Sequence, residues 1–171
     1  PSTAPKPRAA ANQAAQASMV YGVLQKAVRE NDAQRIKTAT GELLEKYGST
    51  AYAPMAALSA AKAMFAAGDT KTASLQLVWV VEHGKDELRD LARLRLAAVL
   101  LDEKAYDEAL KQLAGNTTGG FAVRFLGSRG DVLSAQGKTA EARAAYQEAL
   151  VRLDEGDKTG KGKNTLQDRQ A

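Results

Sequence analysis

His83 is the only histidine in this 171-residue chain, and imidazole is a common general base and metal ligand. The sequence has no cysteine, which excludes disulfides, thiolate catalysis and zinc–thiolate sites. It also has no Ser-His-acid set at a recognisable spacing. His83 precedes Gly84 at the end of a predicted helix, where an imidazole suits the carbonyl groups of the last turn. We therefore predict a structural role for His83.

Three acidic pairs could suggest a calcium site or general acid–base chemistry. They are Asp86-Glu87, Asp102-Glu103 and Asp107-Glu108. None has the alternating ligand spacing and the turn glycine of a calcium-binding loop. All three lie at predicted helix starts or inter-helix turns, where carboxylates favour the positive helix end and Asp caps free N–H groups. We interpret them as capping residues and predict no enzymatic activity, with no catalytic residue, cofactor or metal.

Two short motifs resemble ligand-binding sequences. The tripeptide Arg129-Gly130-Asp131, within SRGDVLSAQGK, matches an integrin-type adhesion ligand, and Gly119-Gly120 lies in a glycine-rich segment. The glycine pair lacks the Lys-Ser/Thr and the preceding strand of a phosphate loop, so it is interpreted as a loop between repeats. An adhesion tripeptide must protrude on a loop. Its interpretation therefore depends on the elements that contain it.

The composition favours helices, because the chain is rich in helix formers and three of its four prolines lie in the first seven residues. Small residues also recur in register, 34, 36 and 33 residues apart, at Ala39, Ala73, Ala109 and Ala142. This is the period of a tetratricopeptide-type helix-turn-helix repeat. A second small residue precedes each of them by 12 residues, at Ala27, Ala61, Ala97 and Gly130.

These eight residues are predicted to pack the repeats. Where two antiparallel helices cross closely there is no room beyond a Cβ atom, so Ala or Gly is required and larger neighbours fill the grooves. Gly130 then lies inside a helix and not on a loop. We predict an all-α fold, an α-solenoid of about four tetratricopeptide-like repeats. The predicted helices span about 13–30, 33–47, 52–67, 70–83, 86–102, 105–114, 120–136 and 139–153.

The predicted repeat domain spans 13–153. Residues 1–12 lack apolar periodicity and are predicted to be a flexible linker that follows a missing membrane anchor. Residues 154–171 combine three glycines with dense charge and are predicted to be a flexible tail, in which Asn164 or Thr165 could start a short C-terminal helix. The longest apolar run, LQLVWVV at 75–81, is far too short to span a bilayer.

The first helix of each repeat in such solenoids lines a concave surface that holds a peptide or a partner's helix. The register places eight residues on that surface: Tyr21, Leu24, Met55, Lys62, Phe65, Leu101, Arg124 and Asp131. Their types predict a mixed apolar groove. The alternative, that several of them pack between repeats, is equally open at this point.

The basic character of the chain lies mainly at its ends. Of the formal net charge of +4, residues 1–12 carry +2 and residues 152–171 carry +1, so the body is close to neutral. A nucleic-acid-binding face requires clustered Lys and Arg to neutralise phosphates. Nucleic acid is therefore excluded as a predicted partner.

Two stretches go beyond a generic repeat: DELRDLARLRLAAVLLDEKAYDEALKQL at 86–113 and RGDVLSAQGKTAEARAAYQEAL at 129–150. With LQLVWVVEHGKDE just before them, they resemble the YfgM-type family, the ancillary subunits of the SecYEG translocon. The resemblance runs over most of 13–151. It implies a periplasmic tetratricopeptide-like domain attached to the inner membrane through one upstream helix.

The resemblance also implies a function. It predicts a non-enzymatic interaction module on the periplasmic side of the bacterial inner membrane, with the SecYEG translocon and a membrane-anchored prolyl-isomerase-like chaperone as partners. Such a module would help to pass newly exported, unfolded proteins to periplasmic chaperones. The alternative is an envelope repeat adaptor for cell-wall or outer-membrane assembly. An enzyme is disfavoured, because the sequence shows no nucleophile, base and orienting group in combination.

Overall fold

The computed structural model describes residues 6–115 and 120–168, with side chains as far as Gly156. Eight helices and no strand occupy these ranges. They are α1 (Pro7–Arg29), α2 (Ala33–Lys46), α3 (Tyr52–Ala66), α4 (Thr70–His83), α5 (Asp86–Asp102), α6 (Tyr106–Gln112), α7 (Gly120–Ala135) and α8 (Thr139–Asp168). The all-α prediction is confirmed, and α2 to α7 begin and end within two residues of their predicted bounds.

Two compact units divide the chain, Pro1–Ala92 and Arg93–Ala171. In the first unit, α1 packs against α2 and α3, α2 also packs against α3, and α3 packs against α4. In the second unit, α6 packs against α7 and α7 against α8. Each antiparallel helix pair is joined by a short turn, as a helix-turn-helix repeat requires.

The turn within each helix pair has one geometry. In each turn, one residue has a positive φ angle and the N–H of the next residue donates to the carbonyl group five residues back, as Asp69 does to Met64 at 2.9 Å. This pattern is the Schellman motif that ends many helices. The left-handed residues, 37, 36 and 33 residues apart, are Asn31 (φ 53°), Gly68 (85°), Lys104 (60°) and Gly137 (77°).

The turn geometry shows that the predicted register of the first repeat is wrong by three residues. Leu24 lies seven residues before Asn31, which is the position that Ala61 occupies before Gly68. Ala27 is instead the residue whose carbonyl group closes the motif, through a 2.9 Å bond from the Asp32 N–H. Leu24 therefore takes the place of the small residue in the first helix of this repeat.

The second helix of the first repeat is shifted in the same way. Ile36, and not Ala39, corresponds to Ala73, because each lies five residues after its left-handed turn residue. Thr40 then corresponds to Leu77, one helical turn further on. Ile36, Thr40 and Leu77 are all 2% exposed or less. In α2 of the first repeat, the residue at the helix crossing (Ile36) is therefore larger than its equivalent Ala73 in α4, and the residue one turn later (Thr40) is smaller than its equivalent Leu77.

Aspartate caps begin α2 and α4. Asp32 Oδ1 accepts from the Arg35 N–H at 3.1 Å, and Asp69 Oδ1 accepts from the Thr72 N–H at 3.0 Å. Asp69 Oδ2 also accepts from the Thr72 hydroxyl at 2.7 Å and lies 3.1 Å from Lys37 Nζ on α2. The Thr72 hydrogen bonds, followed by Lys37, lower the pKa of Asp69 from 3.8 to about 2. This ion pair links the first repeat to the second.

Both ends of the repeat domain differ from the predicted boundaries. Residues 1–5 lie outside the described range, but α1 begins at Pro7, in the segment predicted to be a linker. Proline suits the first helical position, because an N–H group at that position would have no acceptor within the helix and its absence costs nothing. The alanines that follow favour helix.

At the other end, α8 continues to Asp168, so no separate helix starts at Asn164 or Thr165 in the predicted tail. Composition does not account for this continuation, since each helical Gly costs about 1 kcal/mol relative to Ala. Residues 169–171 lie outside the described range.

Candidate protein-binding site

A groove of ≈ 560 Å³ lies in the first unit on α1, α3 and the turns that follow them. These are the first helices of the first two repeats. Among its described lining residues, Lys62 alone is charged, and the rest are small, apolar or uncharged polar. The lining residues are Val28, Asn31, Ser59, Lys62, Ala63, Ala66 and Ala67. The size falls within the range of ligand pockets, about 300–1,000 Å³.

The five predicted contact residues of the first unit have different environments. Lys62 lines the groove, and Met55 and Phe65 are 42% and 41% exposed on α3. Tyr21 is half-buried, and its ring lies 5.5 Å from that of Tyr52, which joins α1 to α3. Leu24 is fully buried and cannot contact a partner. Leu24 is therefore withdrawn from the contact set, because it occupies the packing position described above.

Val28 is the largest apolar groove residue that the sequence analysis did not predict. Val28 lies three residues before Asn31, as Phe65 lies three residues before Gly68. The register inferred from small residues matches Val28 with Lys62, and the turn register matches it with Phe65. Both Lys62 and Phe65 are predicted contact residues, so either register offered a signal for Val28. The small residues of α3, such as Ala63 and Ala66, carry no distinguishing pattern in the sequence.

The remaining predicted contact residues lie in the second unit. Leu101 is half-buried, and Arg124 is exposed with its guanidinium 5.6 Å from the centre of the Phe121 ring. The Asp131 carboxylate is exposed but accepts a 2.6 Å hydrogen bond from the Tyr146 hydroxyl. This bond raises the pKa of Tyr146. The carboxylate of the adhesion-like tripeptide is thus engaged within its own repeat.

The eight predicted repeat-packing residues are all buried: Ala27, Ala39, Ala61, Ala73, Ala97, Ala109, Gly130 and Ala142. Gly130 lies within α7, directly against the ring of Tyr146 on α8. A Cβ atom built on Gly130 would lie only 2.6 Å from Tyr146 Cδ1 and Cζ. The tripeptide is therefore helical, with its glycine pressed against a neighbouring helix, and it does not protrude on a loop.

His83 has the structural environment predicted for it. Its Nδ1 donates to the Trp79 carbonyl group at 3.0 Å in the last turn of α4, and the two rings stack 4.5 Å apart at 14°. Trp79 in turn lies beside Gly48, between the first two repeats, with Cζ2 3.6 Å from the site of a Cβ on that glycine. Trp79 therefore packs the connection between repeats, and His83 stacks on the Trp79 ring.

The acidic pairs lie at the predicted helix starts and turns. The N-cap of α6 is Ala105, without a side-chain capping bond, and Asp102 ends α5, so the pairs Asp107-Glu108 and Asp102-Glu103 do not show the predicted capping role. Asp86-Glu87 and Asp107-Glu108 are in the first turns of α5 and α6, and Asp102-Glu103 lies at the turn between these helices. Within the described ranges, no group of three His, Cys, Asp or Glu side chains could hold a metal ion. Of the predicted loop around Gly119-Gly120, residues 116–119 lie outside the described range, and Gly120 begins α7.

Comparison with known proteins agrees with this arrangement. The family model of the tetratricopeptide repeat-like domain matches residues 8–168. The chain is also 33% identical, over 147 residues, to the ancillary SecYEG translocon subunit of Neisseria gonorrhoeae, covering 85% of this chain and 70% of that protein. The chain belongs to the YfgM-type family of ancillary SecYEG translocon subunits.

Membership in this family confirms the predicted fold class, an α-solenoid of tetratricopeptide-like repeats. The match from residue 8 also includes most of α1, in agreement with the early start of that helix. Across residues 6–115 and 120–168, no helix combines the length and the apolar character needed to cross a bilayer.

Proposed function

We propose that this chain is a non-enzymatic protein-binding module of the SecYEG translocon, and that it binds a segment of its partner in the groove between α1 and α3. The observation that carries this proposal is the groove itself, on the helices that tetratricopeptide repeats use for peptides. The name of the Neisseria relative supports the translocon as the partner.

The lining of the groove indicates what kind of segment it binds. The alanine side chains of α3 leave its floor shallow and apolar, and Val28 adds a larger apolar side chain from α1. Lys62 provides one exposed cation. An apolar segment with a carboxylate beside it matches this surface, because the carboxylate pairs with Lys62 while the apolar side chains lose contact with water.

The finer parts of the proposal rest on the resemblance. They are the location on the periplasmic side of the bacterial inner membrane, the attachment through an upstream anchor, and the transfer of exported proteins to a membrane-anchored prolyl-isomerase-like chaperone. A groove in which four of the seven described lining side chains are apolar suits transient binding of unfolded chains, since apolar contacts are non-directional.

Binding of the 171-residue chain to SecYEG in nanodiscs tests the proposal. The variant Lys62→Glu/Ala66→Glu changes two exposed groove residues, and we expect its affinity to fall by about tenfold or more. The control Lys71→Glu/Leu75→Glu makes the same charge change at exposed positions of α4 and should bind like the wild type. Equal binding by the groove variant, with an unchanged Tm, would contradict the proposal.

A further inference from the structure

The first helix pair carries a second groove, on α1 and α2, that the proposed function does not use. It measures ≈ 610 Å³, and its apolar residues are Met19, Val20 and Val23 of α1 with Ala39 of α2. Met19 is 75% exposed and Val23 is 54% exposed. Large apolar side chains that are exposed next to one another mark an interaction surface.

The charged rim of this groove is polarised. α1 and α2 run antiparallel around the turn at Asn31, so residues at equal distances from the turn lie level with each other. The levels, from the turn outward, are Lys26 with Arg35, Val23 with Thr38, and Met19 with Glu42. The groove is thus basic near the turn, apolar in the middle and acidic at the far end, about 10 Å away along the helix.

We propose that this groove is a self-association surface, on which two copies of the chain pack α1 and α2 face to face about a two-fold axis. A two-fold contact must be complementary to itself. An axis at the level of Val23 places the Lys26 and Arg35 end of each copy over the Glu42 end of the other. The same axis brings Val23 of both copies into the centre, and Met19 of each copy packs beside it on the Glu42 side.

Lys26 and Arg35 have acidic neighbours in their own chain, but these contacts are weak. Lys26 Nζ lies 3.9 Å from Glu30, and Arg35 Nε lies 3.7 Å from Asp32. Both distances exceed hydrogen-bond range, and all four side chains are at least 40% exposed. Exposed pairs of this kind contribute little to stability. Both cations can therefore turn to a carboxylate of the second copy.

Sedimentation velocity over a range of concentrations tests the proposal on the 171-residue chain. We expect the wild type to form dimers in a concentration-dependent way. Val23→Glu should raise the dimer Kd by about 100-fold, because each substitution occurs twice in a two-fold interface and places two like charges at its centre. Leu75 on α4 is also apolar and more than half exposed, and Leu75→Glu should leave the Kd unchanged.

A charge exchange tests the two-fold arrangement itself. Lys26→Glu/Arg35→Glu makes the rim uniformly acidic, and Glu42→Lys makes it uniformly basic. Each variant alone should raise the Kd by about tenfold or more, and an equimolar mixture should form mixed dimers, identified by native mass spectrometry. Loss of folding could not be rescued by mixing. A wild type that stays monomeric at its highest soluble concentration overturns the proposal, as does a mixture that stays monomeric.

Discussion

Gly130→Ala tests the assigned role of the adhesion-like tripeptide most sharply. A methyl group on Gly130 would lie 2.6 Å from Tyr146 Cδ1 and Cζ, and closer still to Cε1. Real carbon contacts are essentially never below 3.0 Å. The Tyr146 ring must therefore move, although its hydroxyl group holds Asp131 at 2.6 Å.

The expected change in the free energy of unfolding combines one stabilising effect and two destabilising effects. Replacing Gly by Ala inside a helix stabilises it by about 1 kcal/mol. Overpacking costs about 1–3 kcal/mol, and loss of the hydrogen bond to the charged Asp131 costs about 1.5–3 kcal/mol. The Tyr146 side chain is 37% exposed, so it can relieve part of the overlap by turning toward solvent. We expect the free energy of unfolding to fall by about 1–3 kcal/mol, which lowers Tm by roughly 2–4 °C per kcal/mol in a chain of this size.

Urea denaturation followed by far-ultraviolet circular dichroism measures this change. In a Tyr146→Ala background the overlap is absent, so Gly130→Ala should instead stabilise the protein by about 1 kcal/mol. The control is Gly127→Ala on the same helix, where a Cβ atom meets nothing within 4 Å. It should stabilise both backgrounds by about 1 kcal/mol. An effect of Gly130→Ala with the same sign in both backgrounds would refute the assigned contact.

Two further predictions concern polar groups of the first two repeats. Thr40 is fully buried, and its hydroxyl group has no hydrogen-bond partner among the described residues, so Thr40→Val should raise the free energy of unfolding by about 1–2 kcal/mol. Thr38→Val, which removes an exposed hydroxyl bonded to a carbonyl group, should give no such gain, and a destabilised Thr40→Val protein would contradict the reasoning. The pKa of Asp69 is lowered from 3.8 to about 2, so its contribution to stability is present above about pH 4 and is lost as pH falls toward 2. Asp69→Asn keeps a capping side chain but cannot be protonated in this range, so its Tm should decrease less than that of the wild type between about pH 5 and 2. Parallel curves of Tm against pH for the two proteins would contradict this.

The helix bounds could be predicted because their signals are local. Asp32 and Asp69 accept N–H groups at helix starts, and Gly68 and Gly137 supply positive φ angles at the turns. Each of these residue types has a backbone preference that acts without tertiary contacts. The predicted bounds of α2 to α7 were accordingly close to the observed ones.

The register of the first repeat could not be predicted from small residues alone. Ala27 and Ala39 have the same 12-residue separation as the small pairs of the other repeats, but so do Leu24 and Ile36. The backbone at Asn31 decides between them, and a left-handed Asn is less evident in a sequence than a left-handed Gly.

The apolar surfaces could not be predicted for a different reason. Met19 and Val23 have the periodicity of core residues, and exposure depends on which helix packs beside them. The sequence pattern of α1 therefore predicts an apolar face but not whether that face is covered.

The central claim, that the groove between α1 and α3 contacts the translocon, is tested most directly by site-specific photocrosslinking. A benzophenone amino acid is placed at Ala66, which lines the groove, or at Leu75, which is exposed on α4. Each 171-residue protein is then irradiated with SecYEG in nanodiscs. We expect crosslinks to a translocon subunit from position 66 and none above background from position 75. No crosslink from position 66, or equal yields from both positions, would contradict the claim.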